Sequence, residues 1–158
     1  MEHAKTYLFV PGNAPHRFQQ AVCCGADAVI FDLEDAVHPD EKNQARENII
    51  QWDKNDTAVS EINCKRYIRL NKFGSMEFSE DIEFLNKLNN KEKLRNNVPS
   101  KHKTAKWEIV LPKIESAEML HDAREMINSN RLEAVNIIAI IETAQGLHHA
   151  EEICAAGV

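Results

Sequence analysis

Five short runs of apolar residues divide the chain, and polar residues and a turn follow each run. The runs cover residues 7–10, 28–31, 67–71, 108–111 and 135–141. They are nearly continuous, without the apolar–polar alternation of a half-exposed strand. Continuous runs of this length are typical of parallel strands that are covered on both faces. We therefore predict five parallel β-strands.

Apolar residues recur at helical spacing between these runs, which predicts a helix after each strand. The spaced residues are Phe18, Ala21 and Val22; Ala45, Ile49 and Trp52; Phe78, Ile82, Leu85 and Leu88; and Leu120, Ala123 and Ile127. Asn13 and Ser116 are predicted N-caps, and Gly25 is the predicted end of the first helix. The second helix is predicted at residues 39–51, and the fifth begins near Gly146. The alternation predicts an α/β fold, either a doubly wound sheet or a TIM barrel.

Composition limits the class of protein. The 158 residues are 43% hydrophobic and 28% charged, which is enough for one globular domain with a core. A net charge of −6 argues against a nucleic-acid-binding protein. The four cysteines form no CxxC pair, so neither a zinc site nor a disulfide framework is indicated. With neither a leader peptide nor a long apolar run in the sequence, we predict a cytoplasmic protein without a membrane span.

The charge is unevenly distributed. Residues 87–106 contain seven Lys or Arg and one acidic residue. Such a run is most often a solvated surface, so we predict a solvated loop here. A patch that attracts a phosphorylated cofactor is the alternative.

Polar residues with chemical potential follow all five predicted strands. They are Asn13; Asp32, Glu34 and Asp35; Arg69 and Asn71; Lys113 and Glu115; and Glu142. The carboxyl ends of parallel strands meet at one edge of the sheet, where α/β proteins bind ligands. Any single member could instead cap a helix or pair with a neighbour, but the repetition at every strand end predicts a site.

The residue types in this set indicate the chemistry. Carboxylate oxygens are ligands for Mg²⁺, and an arginine such as Arg69 can bind a substrate carboxylate through two hydrogen bonds. A metal beside an arginine suits reactions in which negative charge develops on a carbonyl oxygen, including enolate formation and carbon–carbon cleavage. The glycine-rich dinucleotide motif, the P-loop, the serine nucleophile motif and the HExxH zinc motif are all missing from the sequence.

Five ordered blocks of sequence resemble the citrate lyase beta-subunit-like enzymes of the HpcH/HpaI aldolase family, which includes malyl-CoA and citramalyl-CoA lyases. The blocks are YLFVPGNAP, GADAVIFDLEDAVHPDEKNQAR, YIRLN, LPKIES and IIAIIETAQGL. The resemblance implies a TIM barrel of the phosphoenolpyruvate-binding type that assembles as a trimer or hexamer. It also implies Mg²⁺-dependent cleavage of a 3-hydroxyacyl thioester, of the citryl-, malyl- or citramalyl-CoA type, to an acyl thioester and a 2-keto acid.

The resemblance also implies roles for individual residues. Arg69 would bind the substrate, Glu142 would bind both metal and substrate, and Asp35 would complete the catalytic group. Lys5 and Asn13 would bind the substrate, with Lys5 near the nucleotide end of the thioester. The remaining residues would support the site by holding Arg69 and metal-bound water or by bracing their neighbours: Asp32, Glu34, Asn71, Lys113 and Glu115.

Two departures from the family pattern qualify this interpretation. Gln20 stands where the family has a basic residue near CoA. A complete barrel needs about 250 residues, so residues 1–158 are expected to be one truncated domain with the first five β/α units. The family's second metal-binding Asp is expected on the next strand, so Glu142 is predicted to bind Mg²⁺ weakly or not at all.

Two alternatives remain, an inactive barrel fragment that associates with other chains and an aldolase for a free hydroxy-keto acid.

Overall fold

One parallel sheet organises the chain. The computed structural model describes residues 4–55, 64–95, 107–130 and 136–157. Its strands are Tyr7–Pro11 (β1), Ala28–Asp32 (β2), Lys65–Arg69 (β3), Trp107–Leu111 (β4) and Ile137–Ala139 (β5). They lie side by side in chain order, and every neighbouring pair is parallel. A doubly wound sheet would change direction at a switch point, whereas an unbroken sequential order is that of a barrel wall.

Helices follow each strand, as the spacing of apolar residues predicts. They are Phe18–Cys23 (α1), Lys42–Asn55 (α2), Met76–Arg95 (α3), Ala117–Ser129 (α4), Ala144–His148 (α5) and Ala150–Ala155 (α6), with 3₁₀ turns at Pro15–Arg17 and Pro39–Glu41. The predicted fifth helix is therefore two short helices. The turn between the two helices is at His149, and a contact of 3.0 Å between Nδ1 of His149 and the carbonyl oxygen of Glu115 stabilises it.

Two of the three predicted helix ends are confirmed. Ser116 caps α4 by accepting a hydrogen bond of 3.0 Å from the Met119 amide, and Gly25 follows α1 with φ +91°. The prediction for Asn13 is wrong, because the first turn is capped by Ala14 without a side-chain bond. The Asn13 amide instead donates to the Glu41 carboxylate at 2.8 Å.

Three predicted boundaries need correction. The loop predicted at residues 87–106 is helical as far as Arg95, because Leu88 continues the buried stripe of α3; residues 96–106 lie outside the described ranges. β3 begins at Lys65, two residues earlier than predicted, since its polar first residues pair with β2. β5 stops at Ala139, which pairs with Leu111 at the end of β4.

The sheet has a helix-covered face and an opposite face. Phe31 of β2 meets Phe18 of α1 and Trp107 of β4 on the covered face, with ring centroids 4.9 and 5.1 Å apart. The opposite face, which is the interior side of a barrel wall, carries a smaller buried cluster: Ala28, Ile30, Tyr67 and Val110. Burial there raises the pKa of the Tyr67 hydroxyl, and the Glu108 carboxylate adds to the effect.

Coverage on both faces holds for β2 but not for the outer strands. All five residues of β2 are buried, whereas Tyr7, Leu8 and Phe9 of β1 are 41%, 39% and 46% exposed. β5 is half-buried along its length. Outer strands lack a neighbour on one side, so their apolar side chains remain accessible. In the described part of the chain, none of the helices is long and apolar enough to span a membrane.

Candidate active site

The acidic loop after β2 is organised by the carboxylate of Asp32. One of its oxygens accepts the amide hydrogen of Glu34 at 2.8 Å, and the other accepts that of Ala36 at 3.3 Å. These bonds turn the chain sharply as it leaves the sheet. Asp32 and Glu34 are buried, at 1% and 5% exposure, while the Asp35 side chain is mostly exposed. Two acids are thus held under the protein surface within three residues.

Arg69 lies directly beside this loop at the end of β3. Its Nε and Nη2 donate to the two oxygens of Asp32 at 2.8 and 2.5 Å, which is a two-pronged ion pair. Its Nη1 lies 3.1 Å from Oε2 of Glu34, and its guanidinium sits 5.1 Å from the Phe9 ring centroid. Burial opposes the charge on Arg69, but the hydrogen bonds and charges of Asp32 and Glu34 outweigh it and raise the pKa.

Lys113 joins three strand ends. Its ammonium contacts Glu34 closely and donates to Asp35 at 3.0 Å, while its backbone N–H donates to Glu142 at 3.0 Å. The hydrogen bonds that Lys113 donates to Glu34 and Asp35 raise the pKa of Lys113, and the bond to Asp35 lowers the pKa of that carboxyl. Lys113 has a φ of +53°, a left-handed conformation that costs a non-glycine residue energy. The conformation aims its amide at Glu142 and its side chain at the acidic loop.

Glu142 follows β5 and lies at the surface of the site. One carboxylate oxygen accepts from the Lys113 amide, and the residue is exposed. The next residue, Thr143, caps α5 by accepting a 3.0 Å bond from the amide of Gly146. The short helix therefore begins immediately after Glu142 and fixes its backbone.

The structure brings six of the predicted residues together: Asp32, Glu34, Asp35, Arg69, Lys113 and Glu142. Asn71 is buried just behind them. Glu115 forms an ion pair with Lys72, with 3.6 Å between Oε2 and Nζ. Asn13 lies near the carboxyl end of β1 but bonds to Glu41.

Lys5 is the predicted residue that lies apart from the others. Its backbone amide donates to Asp27 at 2.8 Å, just before β1 begins. It therefore starts from the amino edge of the sheet, opposite to the edge that carries the acidic loop.

Sequence reasoning missed three buried charged residues behind the site. Lys42 and Arg46 project from α2, and Asp81 projects from α3; they are 8%, 5% and 0% exposed. A signal was present, because Lys42 and Arg46 are four residues apart and share a helix face with buried Ala45 and Ile49. Charges on the apolar face of a helix indicate a buried polar network.

The donor set fits a hard cation bound through few protein ligands. Its oxygens are carboxylates, and the buried Oε2 of Glu34 accepts no hydrogen bond from a described residue, although Nη1 of Arg69 lies 3.1 Å away as an ion-pair partner. Across the same ranges, no three His, Cys, Asp or Glu side chains are grouped to hold a metal. Mg²⁺ often uses only one or two carboxylates and completes its shell with water and substrate oxygens. The exposed carboxylate of Glu142 fits that pattern with a low expected affinity.

Residues 5–157 match the family model of the HpcH/HpaI aldolase/citrate lyase family. The chain belongs to this family. It is 32% identical to the citrate lyase subunit beta of Leuconostoc mesenteroides subsp. cremoris over 157 residues, which covers 94% of this chain and 45% of that protein. It is 31% identical to the L-malyl-CoA/beta-methylmalyl-CoA lyase of Cereibacter sphaeroides, covering 94% of this chain and 43% of that enzyme. The chain thus spans less than half the length of these two relatives.

Solved structures show the same fold. The protein CitE of Mycobacterium tuberculosis, in complex with magnesium, acetoacetate and coenzyme A, matches 99% of this chain and 46% of its own, with a TM-score of 0.66 and 28% identity. RipC of Yersinia pestis matches with a TM-score of 0.64 and 27% identity over 98% of this chain and 54% of its own. The predicted family and the predicted partial barrel are both confirmed.

Proposed function

We propose that the chain carries the carboxyl-edge site of a Mg²⁺-dependent lyase that cleaves a carbon–carbon bond in a 3-hydroxyacyl-CoA thioester. One geometric observation supports it most directly. Arg69, clamped by Asp32 at the end of β3, and Glu142, bonded to the Lys113 amide after β5, lie on either side of the end of β4, from which Lys113 reaches the acidic loop. The relatives support the substrate class, because they include a citrate lyase subunit and a malyl-CoA lyase. A magnesium and coenzyme A complex of the related CitE supports the cofactor and the thioester.

The chain's own residues would bind and orient the substrate. Arg69 is held by Asp32 through Nε and Nη2, and its Nη1 lies 3.1 Å from Oε2 of Glu34. A guanidinium fixed in this way can bind a substrate carboxylate or keto oxygen without first having to be ordered. When bound at Glu142, Mg²⁺ would polarise the carbonyl oxygen on which negative charge develops.

Lys113 would hold the side chains of Glu34 and Asp35 in place while the substrate is bound. Its raised pKa keeps the ammonium charged, so Glu34 and Asp35 keep a cationic partner. Asp35 is the most exposed of these acids and is the candidate for proton transfer at the substrate. Its lowered pKa makes it a weak base at rest, and separation from Lys113 on substrate binding would strengthen it.

The direct test is an assay of the purified chain with Mg²⁺ and malyl-, citramalyl- or citryl-CoA. Release of glyoxylate, pyruvate or oxaloacetate is expected, and Arg69→Met should abolish it. Arg124→Met is the matched control. Arg124 lies on α4, outside the site, and donates a hydrogen bond to the Gly157 carbonyl oxygen. If the folded wild-type chain releases none of these keto acids, the proposal fails for this chain.

A free hydroxy-keto acid is the second candidate substrate, and two observations favour it. Gln20 is an exposed, uncharged residue on α1 where the family has a basic one. Lys5 starts at the opposite edge of the sheet from the acidic loop. Activity on 4-hydroxy-2-keto acids with none on CoA thioesters would establish this alternative and remove the thioester proposal.

A chain that only associates with other polypeptides is the third candidate. The exposure of Tyr7, Leu8 and Phe9 favours it, since a flat apolar strand at a sheet edge invites pairing. Size-exclusion chromatography separates the outcomes. Assembly through β1 should be weakened by Leu8→Lys, whereas a wild-type monomer that melts cooperatively would count against association.

A further inference from the structure

Lys42 is a buried cation that supports the acidic loop from behind. It is the first residue of α2 and is 8% exposed. Its ammonium donates to the carbonyl oxygens of Leu33 at 2.8 Å and Glu34 at 2.9 Å, and to Oδ1 of Asn71 at 2.6 Å. An ammonium has three donors, so these contacts use its full capacity. Two of the three acceptors belong to the acidic loop itself.

Packing does not explain a lysine at this position. Its acceptors among the described residues are two carbonyls and an amide, and burial lowers the pKa of Lys42 against the opposing charges of Asp81 and Glu34. Removing an ammonium from water is unfavourable unless its new partners offset the lost hydration. A methionine of similar length would fill the space without that cost. The ammonium is therefore explained by its hydrogen bonds to Leu33, Glu34 and Asn71.

The third partner of Lys42 is itself fixed. Oδ2 of Asp81 accepts from both the backbone amide and the side-chain amide of Asn71, at 2.7 and 2.8 Å. Oδ1 of Asp81 accepts from Nε of Arg46 at 2.8 Å. With its NH₂ group committed to Asp81, the Asn71 side chain has only its oxygen to present to Lys42. The network thus fixes Lys42 from below.

We propose that Lys42 is the positioning residue for Glu34 and Asp35. Asp32 holds the amide hydrogens of the loop, and Lys42 holds its carbonyl oxygens. Held on both sides, the backbone is fixed in the direction that sends Glu34 toward Arg69 and Lys113. The inference that this loop serves a lyase rests on the proposed function, but the positioning itself needs neither substrate nor metal.

The test is a double-mutant cycle on the Glu34–Lys113 ion pair, measured by urea unfolding. Glu34→Gln, Lys113→Met and the double variant are made in the wild-type chain and again in the Lys42→Met background. A coupling of about fivefold is expected in the wild-type chain, falling below about twofold with Lys42→Met. A residue that merely stabilised the fold would lower every stability equally and leave the coupling unchanged, which would overturn the proposal.

Ile49→Val supplies the matched background, because Ile49 is buried on the same helix and belongs to the apolar core. It should lower stability and leave the coupling intact. If Lys42→Met does not fold, nitrogen NMR of the wild-type chain decides. A slowly exchanging Lys42 ammonium, coupled through its hydrogen bonds to the Leu33 and Glu34 carbonyl carbons, supports the proposal, and a freely exchanging one refutes it.

These measurements separate the two proposals. Loss of coupling in a chain that releases no keto acid would keep the positioning role and remove the lyase function. An active chain whose coupling is insensitive to Lys42→Met would keep the function and remove the positioning role.

Discussion

Asp32 binds Arg69 with both oxygens of its carboxylate, at 2.8 Å from Nε and 2.5 Å from Nη2. The same oxygens accept the amide hydrogens of Glu34 and Ala36. One buried side chain therefore shapes the loop after β2 and also orients the cation at the end of β3. The two strands are direct neighbours, with Asp32 opposite Arg69 in the register.

Asp32→Asn preserves the side-chain volume, but it is expected to weaken both the loop after β2 and the ion pair with Arg69. The asparagine NH₂ group would face either a guanidinium donor or a backbone amide, which leaves buried donors without acceptors. We expect a loss of about 2–4 kcal/mol in the free energy of unfolding, measured with urea. Asp122→Asn, at an exposed position of α4, should change it by less than about 0.5 kcal/mol. Equal stability of the two variants would show that the Asp32–Arg69 pair contributes little.

Lys113→Met should raise the pKa of Asp35. The hydrogen bond from Lys113 is the main cause of the lowered pKa, so removing it returns the carboxyl toward its ordinary value of about 3.9. Carbon NMR of the Asp35 carboxyl measures this directly. An unchanged midpoint would mean that the ion pair does not form in solution.

The sign of the accompanying pH dependence follows from linkage. Asp35 is more acidic in the folded chain than in the unfolded chain, so its contribution to stability is present above a pH of about 4. It is lost as the pH falls through the lowered folded-state pKa. Lys113→Met should therefore flatten the acid side of the stability profile, while Arg124→Met, whose hydrogen bond goes to the Gly157 carbonyl oxygen and not to a carboxylate, should not.

Much of the fold could be predicted because its signals are local. Continuous apolar runs marked all five strands, and helical spacing marked the helices between them. What local pattern could not supply was the strand order, since a doubly wound sheet and a barrel wall use the same elements. It also missed the exposure of β1, because burial on each face depends on neighbours that lie far away in the sequence.

The sequence predicted the site residues that follow strands, but not the buried charged residues on the helices that pack against them. Polar residues that interrupt apolar runs, such as Glu34 and Arg69, are visible in sequence because they follow strands. Lys42 and Asp81 lie within helices, where charged residues are ordinary, and their burial appears only when α2 and α3 pack against the sheet. The left-handed backbone of Lys113 was likewise invisible, since nothing in a lysine indicates a positive φ.

Glu142 is expected to bind Mg²⁺ weakly in this chain. The residue is exposed, and the described side chains provide no cluster of three ligands around it. Isothermal titration should give a dissociation constant above roughly 1 mM, as expected for a site that relies mostly on water ligands. A sub-millimolar affinity that disappears in Glu142→Ala, but persists in Glu118→Ala on the exposed face of α4, would contradict this prediction.

Gly146→Ala should strongly destabilise the chain, because α5 packs against the backbone that follows β4. A Cβ atom at Gly146 would lie 2.4 Å from the carbonyl oxygen of Ile114 and 3.2 Å from Oγ1 of Thr143. The carbonyl belongs to the main chain and cannot rotate away, so the helix must shift. Overpacking of this kind costs about 1–3 kcal/mol.

The shift would also be felt at the site. Gly146 donates to the Thr143 cap, and Thr143 directly follows Glu142. We therefore expect amide chemical shifts of Glu142 and Lys113 to move in Gly146→Ala, together with a lower urea midpoint. Gln145→Ala is the control, since Gln145 is an exposed neighbour on the same helix, and its effect should stay within about 0.5 kcal/mol. Wild-type stability in Gly146→Ala would mean that α5 is not seated on Ile114, and the position of Glu142 would then lose its structural basis.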